Sequence, residues 1–221
     1  MMPRTRHASR AATLSMALAG FCAISSLSLN PLFERPASAS VSIAATWDGL
    51  LHDSSAAVLV TAAESRTVWE NGRIYTYTHV HVDRPVAGTL GTGGDAWVRT
   101  MGGVVGKVGQ LVEGEASFAP GEASLLFVRP GPVGAFIVTA RAQGQFPLVK
   151  DGANPAHLVK SSGTGMLIGP RTAPGAPISA SATAATAATA TPRLAADVIH
   201  GRLVDDVAHD VSAAWDAAHA P

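Results

Sequence analysis

The dipeptide Asn71-Gly72 constrains the fold of this chain more than any other feature, because it lies between two long runs of alternating apolar and polar residues. Asn and Gly tolerate the positive φ angles that the two central residues of a type I′ turn require. A dipeptide of this kind between alternating runs predicts a β-hairpin with a two-residue loop. The predicted strands are residues 57–70 and 73–82.

The two-residue loop also predicts the register of the hairpin, and the register assigns side chains to faces. Glu70 should face Arg73, and Glu64 should face His79. The uncharged, β-branched face is the predicted core face and contains Ala63, Ser65, Thr67, Trp69, Ile74, Thr76, Thr78, Val80 and Val82. The predicted solvent face contains Glu64, Arg66, Val68, Tyr75, Tyr77, His79, His81 and Asp83.

Further strands are predicted at residues 95–101, 125–129, 134–141 and 145–149, with glycine-rich turns between them. A short helix at residues 45–53 would place Trp47, Leu50 and Leu51 on one side. Short strands between turns are typical of an antiparallel barrel or sandwich. The predicted fold is mainly β, a small and partly open antiparallel β-barrel of roughly five or six strands over residues 40–160.

The C-terminal part is predicted to be an Ala/Thr/Pro-rich linker at residues 161–191, followed by an amphipathic helix at residues 192–220. Thr191 is the predicted N-cap and Pro192 the first helical residue. The apolar stripe of this helix supplies the candidate interaction residues Leu203, Val207, Val211 and Trp215. Three alternatives stay open: the stripe packs on the chain's own barrel, docks in a partner's groove, or forms a homodimer with its own copy.

Residues 1–39 have the pattern of a secretory signal peptide. Arginines precede a charge-free apolar run at residues 11–29, and the segment ends in the small residues Ala37-Ser38-Ala39. Cleavage after Ala39 would make the protein exported, either periplasmic or extracellular. Two alternatives remain, an uncleaved membrane anchor and lipidation at Cys22.

Cysteine content and charge exclude several classes of function. Cys22 is the one cysteine of the chain, so a chain cleaved after Ala39 has no disulfide, no thiolate metal ligand and no cysteine nucleophile. Residues 1–39 hold four of the 16 basic and one of the 16 acidic residues, which leaves residues 40–221 near −3 with neutral histidines. Because no run of basic residues could neutralise successive phosphates, nucleic acid is not an expected partner.

The sequence Val112-Glu-Gly-Glu-Ala-Ser-Phe-Ala-Pro-Gly-Glu-Ala-Ser-Leu-Leu-Phe-Val128 carries a family resemblance. Residues 45–150 resemble an uncharacterised group of exported bacterial proteins with a small β-barrel domain. That group has a pattern like V-x-G-x-P-x-F-x-x-G-E-x-x-L-L-F-L, and Ala116 stands where proline is commoner. The resemblance implies a secreted β domain and no catalytic residue.

His79 and His81 are the strongest candidates for a chemical site. Two histidines at i and i+2 of a strand point to the same side, and the predicted register adds Glu64 across the hairpin. Two imidazoles and one carboxylate could bind zinc or copper. The competing interpretation is a solvated outer face with a weak Glu–His pair.

The other candidates are weaker. The glycine-rich residues 102–109 lack the Ser or Thr of a phosphate-binding loop. Glu113, Glu115 and Glu122 could in principle perform acid–base chemistry on sugars, but solvated turn residues explain them better. The sequence therefore predicts an exported, non-catalytic binding or interaction module of the cell envelope or medium, with a protein or envelope component as its partner. The alternative is a metal-binding protein or metal-dependent enzyme that uses the histidine pair.

Overall fold

The computed structural model describes residues 41–91, 93–152, 154–170 and 192–220. The predicted signal peptide, Cys22, most of the predicted linker and Thr191 lie outside these residues. The strands are β1 (Val41–Ile43), β2 (Ala56–Glu70), β3 (Arg73–Gly88), β4 (Asp95–Met101), β5 (Gly103–Val105), β6 (Val108–Gln110), β7 (Ala123–Pro130), β8 (Phe136–Val138), β9 (Gln145–Val149), β10 (His157–Leu158) and β11 (Met166–Ile168). The α-helices are α1 (Trp47–His52), α2 (Ala195–Ile199) and α3 (Val204–Ala218). None of the helices in the described residues is long and apolar enough to cross a membrane.

The hairpin of β2 and β3 confirms the prediction made from Asn71-Gly72. Both turn residues have positive φ, 48° at Asn71 and 78° at Gly72. The register runs as predicted from Glu70↔Arg73 to Ser65↔Thr78. The local chemistry of the turn therefore fixes the pairing of the six residues nearest to it on each strand.

Beyond Ser65 the predicted register is wrong. The next pair is Ala62↔Val80, so Ala63 and Glu64 together oppose the single residue His79. This is a β-bulge, which inserts one extra residue and reverses the faces of the strand beyond it. Ala62 is consequently buried in the core, whereas Ala63, predicted to lie on the core face, is exposed.

The strands of the main sheet close into a ring, which confirms the mainly β fold. The order is β10-β9-β7-β2-β3-β4-β8, and β8 also pairs with β7. The ring thus contains β2, β3, β4, β8 and β7, while β9 and β10 extend from β7. Neighbouring strands of the ring are antiparallel except β4 and β8, which pair in parallel at Val98↔Phe136.

Two of the predicted later strands, 95–101 and 145–149, match β4 and β9, and residues 125–129 lie within β7. The predicted strand at 134–141 is shorter in the structure, where β8 covers only Phe136–Val138 between two 3₁₀ turns. Its backbone explains the difference, because Val133, Ala140 and Arg141 have φ angles of 54°, 54° and 57°. Residues in this left-handed region cannot continue a strand.

Strand β7 separates two apolar clusters, because its alternate residues point to opposite sides. Leu126 and Val128 face the inside of the ring, together with residues such as Val60, Val80 and Phe136. Leu125 and Phe127 face outward and are covered by the helices. The predicted short helix is confirmed as α1, and the outer cluster contains Trp47, Leu50, Leu51, Phe146, Leu158, Ile199, Val207, Val211 and Trp215.

The prediction of one continuous helix at residues 192–220 is wrong. The structure has two helices, α2 and α3, and the first begins at Ala195, after Pro192. Backbone hydrogen bonds to β10 interrupt the helix: Gly201 N donates to Leu158 O at 2.7 Å, and Leu158 N donates to Arg202 O at 2.9 Å. These bonds replace helical ones, since each backbone group that leaves a helix needs another partner.

The N-terminal part of the predicted linker is also structured. Residues 166–168 form β11, which pairs in parallel with β1 through Val41↔Met166 and Ile43↔Ile168. Residues 162–164 form a short 3₁₀ turn. The predicted low-complexity segment from residue 171 to 191 lies outside the described residues.

Candidate functional site

The inner face of the strand ring changes from apolar to hydroxyl-bearing side chains toward the hairpin turn. The inward positions there are Ser65 on β2, Thr76 and Thr78 on β3, and Thr100 on β4. Thr78 is only 1% exposed and Thr100 7%. Valine has nearly the shape of threonine and would be buried without the cost of removing a hydroxyl from water. Packing alone therefore does not account for the hydroxyls at these positions.

Each of the four hydroxyls has a hydrogen-bond partner within the fold, and Thr100 Oγ1 donates to Thr76 O at 3.5 Å. The Oγ of Ser65 and the Oγ1 of Thr78 are 2.9 Å apart, and Thr76 Oγ1 donates to Gly102 O at 2.7 Å. In the Ser65–Thr78 pair one hydroxyl donates to the other, so one proton remains to be donated elsewhere. The pair therefore presents both a donor and lone pairs to the space above it.

That space is a cavity of about 420 Å³. The loop between β6 and β7 lines it with residues 111–118, and Ser162 and Gly163 line it as well. Met101, Val112 and Phe118 add apolar residues to the lining. A cavity lined by both hydroxyl-bearing and apolar residues has the composition of a small-molecule site.

The buried side chain of Gln145, 1% exposed, holds the loop in place. Its Nε2 donates to Ser117 O at 2.6 Å, and its Oε1 accepts from Ser117 N at 3.0 Å. The same Oε1 accepts a hydrogen bond from Ser161 Oγ at 3.0 Å. One amide therefore fixes both the loop and the turn at residues 161–164, so the cavity is preformed.

Two carboxylates are the ionisable groups of the cavity wall, Glu113 and Glu115. Glu115 Oε1 lies 3.0 Å from Arg141 Nε, and its side chain is 15% exposed. Glu113 is exposed at the rim. Among the described residues no Lys or Arg lines the cavity, so its field does not attract anions. The interpretation of Glu113 and Glu115 as free turn residues therefore holds only for Glu113.

A second cavity of about 530 Å³ lies beside α1 and is lined by residues 43–46, 49, 50, 53, 129, 139 and 140. Two of its hydroxyls already act within the fold. Thr46 Oγ1 accepts from Gly49 N at 3.1 Å as the N-cap of α1, and Thr139 Oγ1 accepts from Ser54 Oγ at 2.9 Å. The hydroxyl-lined cavity is the stronger candidate site because four hydroxyls from three adjacent strands meet there.

The outer face of the hairpin is more ordered than the predicted solvated surface. Tyr77 is only 6% exposed and lies between two arginines, with Arg66 Cζ at 5.7 Å and Arg99 Cζ at 5.8 Å from its ring centroid. Arg99 Nη2 donates to Glu70 Oε2 at 2.7 Å, and Tyr77 Oη donates to Glu70 Oε1 at 2.7 Å. Arg99 also stacks on Tyr75, at 3.4 Å from the ring centroid.

These contacts shift two pKa values in opposite directions. The hydrogen bonds from Arg99 and Tyr77 lower the pKa of Glu70. Burial, followed by the hydrogen bond to Glu70, raises the pKa of Tyr77. The cluster is therefore held in the ionisation state that its hydrogen bonds require at neutral pH, with Glu70 charged and Tyr77 neutral.

The histidine pair is brought together with Asp95 of β4 and not with Glu64. Asp95 Oδ1 lies 3.7 Å from His79 Nε2 and 3.2 Å from His81 Nδ1, while Glu64 lies in the bulge. His79 also packs against Trp97, with ring centroids 5.0 Å apart. Within the described ranges, no group of three or more His, Cys, Asp or Glu side chains is arranged to hold a metal ion. Zinc or copper binding by Glu64, His79 and His81 is therefore not supported by a formed site.

The candidate interaction residues of the C-terminal stripe lie mostly in the chain's own core. Val207 and Val211 are fully buried, Trp215 is 8% exposed, and Leu203 is 40% exposed. Two polar contacts fasten α3 to β3: Arg84 Nη1 donates to Asp205 Oδ1 at 2.8 Å, and Ser212 Oγ donates to Val86 O at 2.8 Å. Of the three alternatives, the structure shows the stripe covered by its own sheet.

Comparison with family models, with curated proteins and with solved structures finds no match to this chain. The resemblance seen in residues 112–128 therefore stays a prediction. Its first part, residues 112–118, lies in the cavity wall, and Leu125, Leu126 and Phe127 lie in the buried strand β7. The fold and the site together define a mainly β protein with a closed ring of strands and a hydroxyl-lined cavity.

Sequence reasoning missed the cavity, although part of the signal was available. The register of the hairpin places Ser65 opposite Thr78, and this pair of inward hydroxyls in a predicted core was an indication of a polar site. Gln145 and Ser117 gave no such indication, because they are 28 residues apart and meet only in the folded chain.

Proposed function

We propose that this chain is an exported, non-catalytic binding module whose β domain is a small, partly open barrel and whose ligand is a small polar molecule. The observation that carries the proposal is the preformed cavity of about 420 Å³ over the Ser65–Thr78 hydroxyl pair. Its volume falls within the range of about 300–1,000 Å³ for ligand pockets. The ligand would come from the cell envelope or the medium, in line with the signal pattern at residues 1–39.

The order of the strands supports the barrel. Strands β2, β3 and β4 form an antiparallel meander, β7 returns beside β2, and β8 completes the ring between β4 and β7. The ring is joined between β4 and β8 by the single pair Val98↔Phe136, which resembles the partly open, five-stranded Greek-key barrel of the OB type. Barrels of that type bind oligosaccharides or oligonucleotides through sheet faces and loops. The acidic balance of residues 40–221 favours ligands other than nucleic acid.

The chemistry of the wall supports binding without turnover. In the described part of the chain, the cavity is lined by no His, Lys or Cys that could activate a hydroxyl nucleophile. Glu115 is paired with Arg141, and Glu113 lies at the rim. The wall therefore offers no pair of groups in which one acts as acid and the other as base.

The test is native mass spectrometry of the full mature protein, secreted by its own host and purified from the exported fraction. We expect a small molecule to copurify with the wild type and to be lost in Thr78→Val, which keeps the volume of the side chain but removes its hydroxyl. Thr61→Val is the matched control, because Thr61 lies on the same hairpin and donates at the surface to Asp83 at 2.7 Å. A protein that carries no small molecule, or one that hydrolyses nitrophenyl glycosides, would contradict the proposal.

A further inference from the structure

We infer that the ligand of the hydroxyl-lined cavity is a neutral sugar unit, bound through two adjacent hydroxyl groups on one side and through its C–H face on the other. The inference rests on the proposed binding function and names the chemical class of the ligand. Three properties of the cavity lead to it: its charge, the pairing of its hydroxyls and the position of its apolar wall.

The charge of the cavity disfavours ionic ligands of both signs. An anion would meet the carboxylates of Glu113 and Glu115 without any Lys or Arg in the wall. A cation would find Glu115 already paired with Arg141 at 3.0 Å, and the remaining carboxylate, Glu113, is exposed to water at the rim, where an ion pair contributes at most about 1 kcal/mol. Burying an ion without a partner costs several kcal/mol, roughly 3–5 where one partner of a pair is missing. A neutral ligand avoids this cost.

The Ser65–Thr78 hydroxyl pair in the cavity lining matches the hydrogen-bonding properties of a sugar. Ser65 Oγ and Thr78 Oγ1 are 2.9 Å apart, and either of them can be the donor within the pair. The pair therefore has one proton left to donate, and its position can alternate between the two oxygens. A ligand hydroxyl both donates and accepts, so two neighbouring hydroxyls of a sugar satisfy the pair in either arrangement. A carbonyl can only accept the free proton of the pair, and an ammonium group can only donate to its lone pairs.

The apolar residues that line the cavity fit the less polar face of a sugar ring. Phe118 is partly buried against the apolar interior of the ring of strands, and its side chain lines the cavity together with Val112 and Met101. Leu111, which lines the same cavity, is 86% exposed and is therefore accessible to a ligand. A sugar ring in the cavity would bury C–H groups against Phe118 and place hydroxyls against Ser65, the exposed member of the pair, with Thr78 as its hydrogen-bond partner. The volume of about 420 Å³ suits roughly one or two rings, because it lies near the lower end of the range for ligand pockets.

The experiment is isothermal titration of the full mature protein with two panels of small molecules. The first contains neutral sugars: glucose, galactose, mannose and N-acetylglucosamine. The second contains glucuronic acid, glucosamine, inorganic phosphate and ethanolamine. We expect at least one neutral sugar to bind, its acidic or basic counterpart to bind at least tenfold more weakly, and Thr78→Val to weaken the neutral sugar at least tenfold. Thr78→Ser, which retains the hydroxyl, should bind within threefold of the wild type, and Thr61→Val should bind like the wild type.

The outcomes separate the two proposals. If phosphate, ethanolamine or another charged compound binds in a manner that depends on Thr78 and no neutral sugar does, the inference is wrong and the binding function stands. If no compound of either panel binds and none copurifies from the exported fraction, both are wrong. If Thr78→Val does not fold, as judged by circular dichroism, Phe118→Leu replaces it, and the same tenfold loss for the neutral sugar is required.

Discussion

Replacing Gly88 by alanine tests how the C-terminal helix is integrated into the fold. Gly88 ends β3 with a φ angle of +67°, and a Cβ at this position would lie 2.3 Å from Ser55 O and 2.7 Å from Trp215 Cζ2. The left-handed conformation costs alanine about 1–2 kcal/mol. Overpacking against the neighbouring atoms adds about 1–3 kcal/mol, and the contact with Ser55 is to backbone, which yields least.

Gly91 provides a matched control for this substitution. It has the same φ angle of +67°, and a Cβ there would meet nothing within 4 Å. Gly91→Ala should therefore carry only the conformational cost of about 1–2 kcal/mol. The two variants should differ by about 1–3 kcal/mol in the free energy of unfolding, which for a chain of this size shifts Tm by about 2–4 °C per kcal/mol.

Urea and thermal unfolding of the mature protein, followed by circular dichroism, would measure this difference. In a Trp215→Ala background the extra penalty at Gly88 should fall but not vanish, because the contact with Ser55 O remains. The reasoning would be refuted by a Gly88→Ala protein as stable as Gly91→Ala within about 0.5 kcal/mol, the usual error of additivity. That result would mean that neither Ser55 O nor Trp215 lies against Gly88 at the end of β3.

Two further predictions concern the hydrogen bonds of Gln145 to the loop at residues 111–118 and the cluster of Glu70, Tyr77 and Arg99. Gln145→Ala removes two hydrogen bonds to Ser117, which is an exposed residue, so we expect a loss of about 0.5–1.5 kcal/mol per bond. Hydrogen exchange in residues 111–118 should be faster than in the wild type while β7 is unchanged; unchanged exchange in that loop would contradict the clamp. Glu70 has a folded pKa below its ordinary value of 4.5, so its contribution to stability is present above pH 4.5 and is lost as pH falls through the lowered pKa. Tyr77 has a folded pKa above its ordinary value of 10.0, so its contribution is present below pH 10.0 and is lost as pH rises through the raised pKa. Glu70→Gln should flatten the acid side of the urea-midpoint profile and weaken the alkaline side; a profile identical to the wild type would show that the cluster does not couple to folding.

The hairpin shows how far local chemistry determines this fold. The turn residues and the alternation near them are sufficient for the register from Glu70↔Arg73 to Ser65↔Thr78. The bulge at Ala63 and Glu64 has no comparable signal in the alternation of the sequence, and it lies just beyond Thr61, where the pairing of β2 with β7 ends. The predicted one-to-one pairing of Glu64 with His79 was wrong for that reason.

The C-terminal helices also show that local sequence does not predict where a regular element is interrupted. Thr191 and Pro192 predicted the start of the helix, which the structure places later, at Ala195. The apolar stripe correctly identified Val207, Val211 and Trp215 as one face. The interruption at Gly201 depends on hydrogen bonds to Leu158, more than 40 residues earlier in the chain, and no helical propensity encodes them. The periodicity predicts which residues are buried better than it predicts where the helix is continuous.

The cavity depends both on the local register of the hairpin and on a long-range contact between Gln145 and Ser117. The hairpin register alone places the hydroxyls of Ser65 and Thr78 together on an inward face, which conflicts with a purely apolar core. Residue types that do not suit their position in the fold are expected at functional sites, because at other positions they only reduce stability. What the register cannot supply is the loop, whose position depends on Gln145 binding both backbone groups of Ser117. The Ser65–Thr78 pair, of which only Thr78 is buried, keeps one proton that is not donated within the pair and lies beneath a clamped loop. A ligand explains this arrangement better than packing does, and Thr78→Val separates the two explanations. If the Thr78 side chain served only packing, the valine variant would be at least as stable as the wild type and would still carry any bound molecule. If Thr78 belongs to a ligand site, the bound molecule is lost together with the hydroxyl.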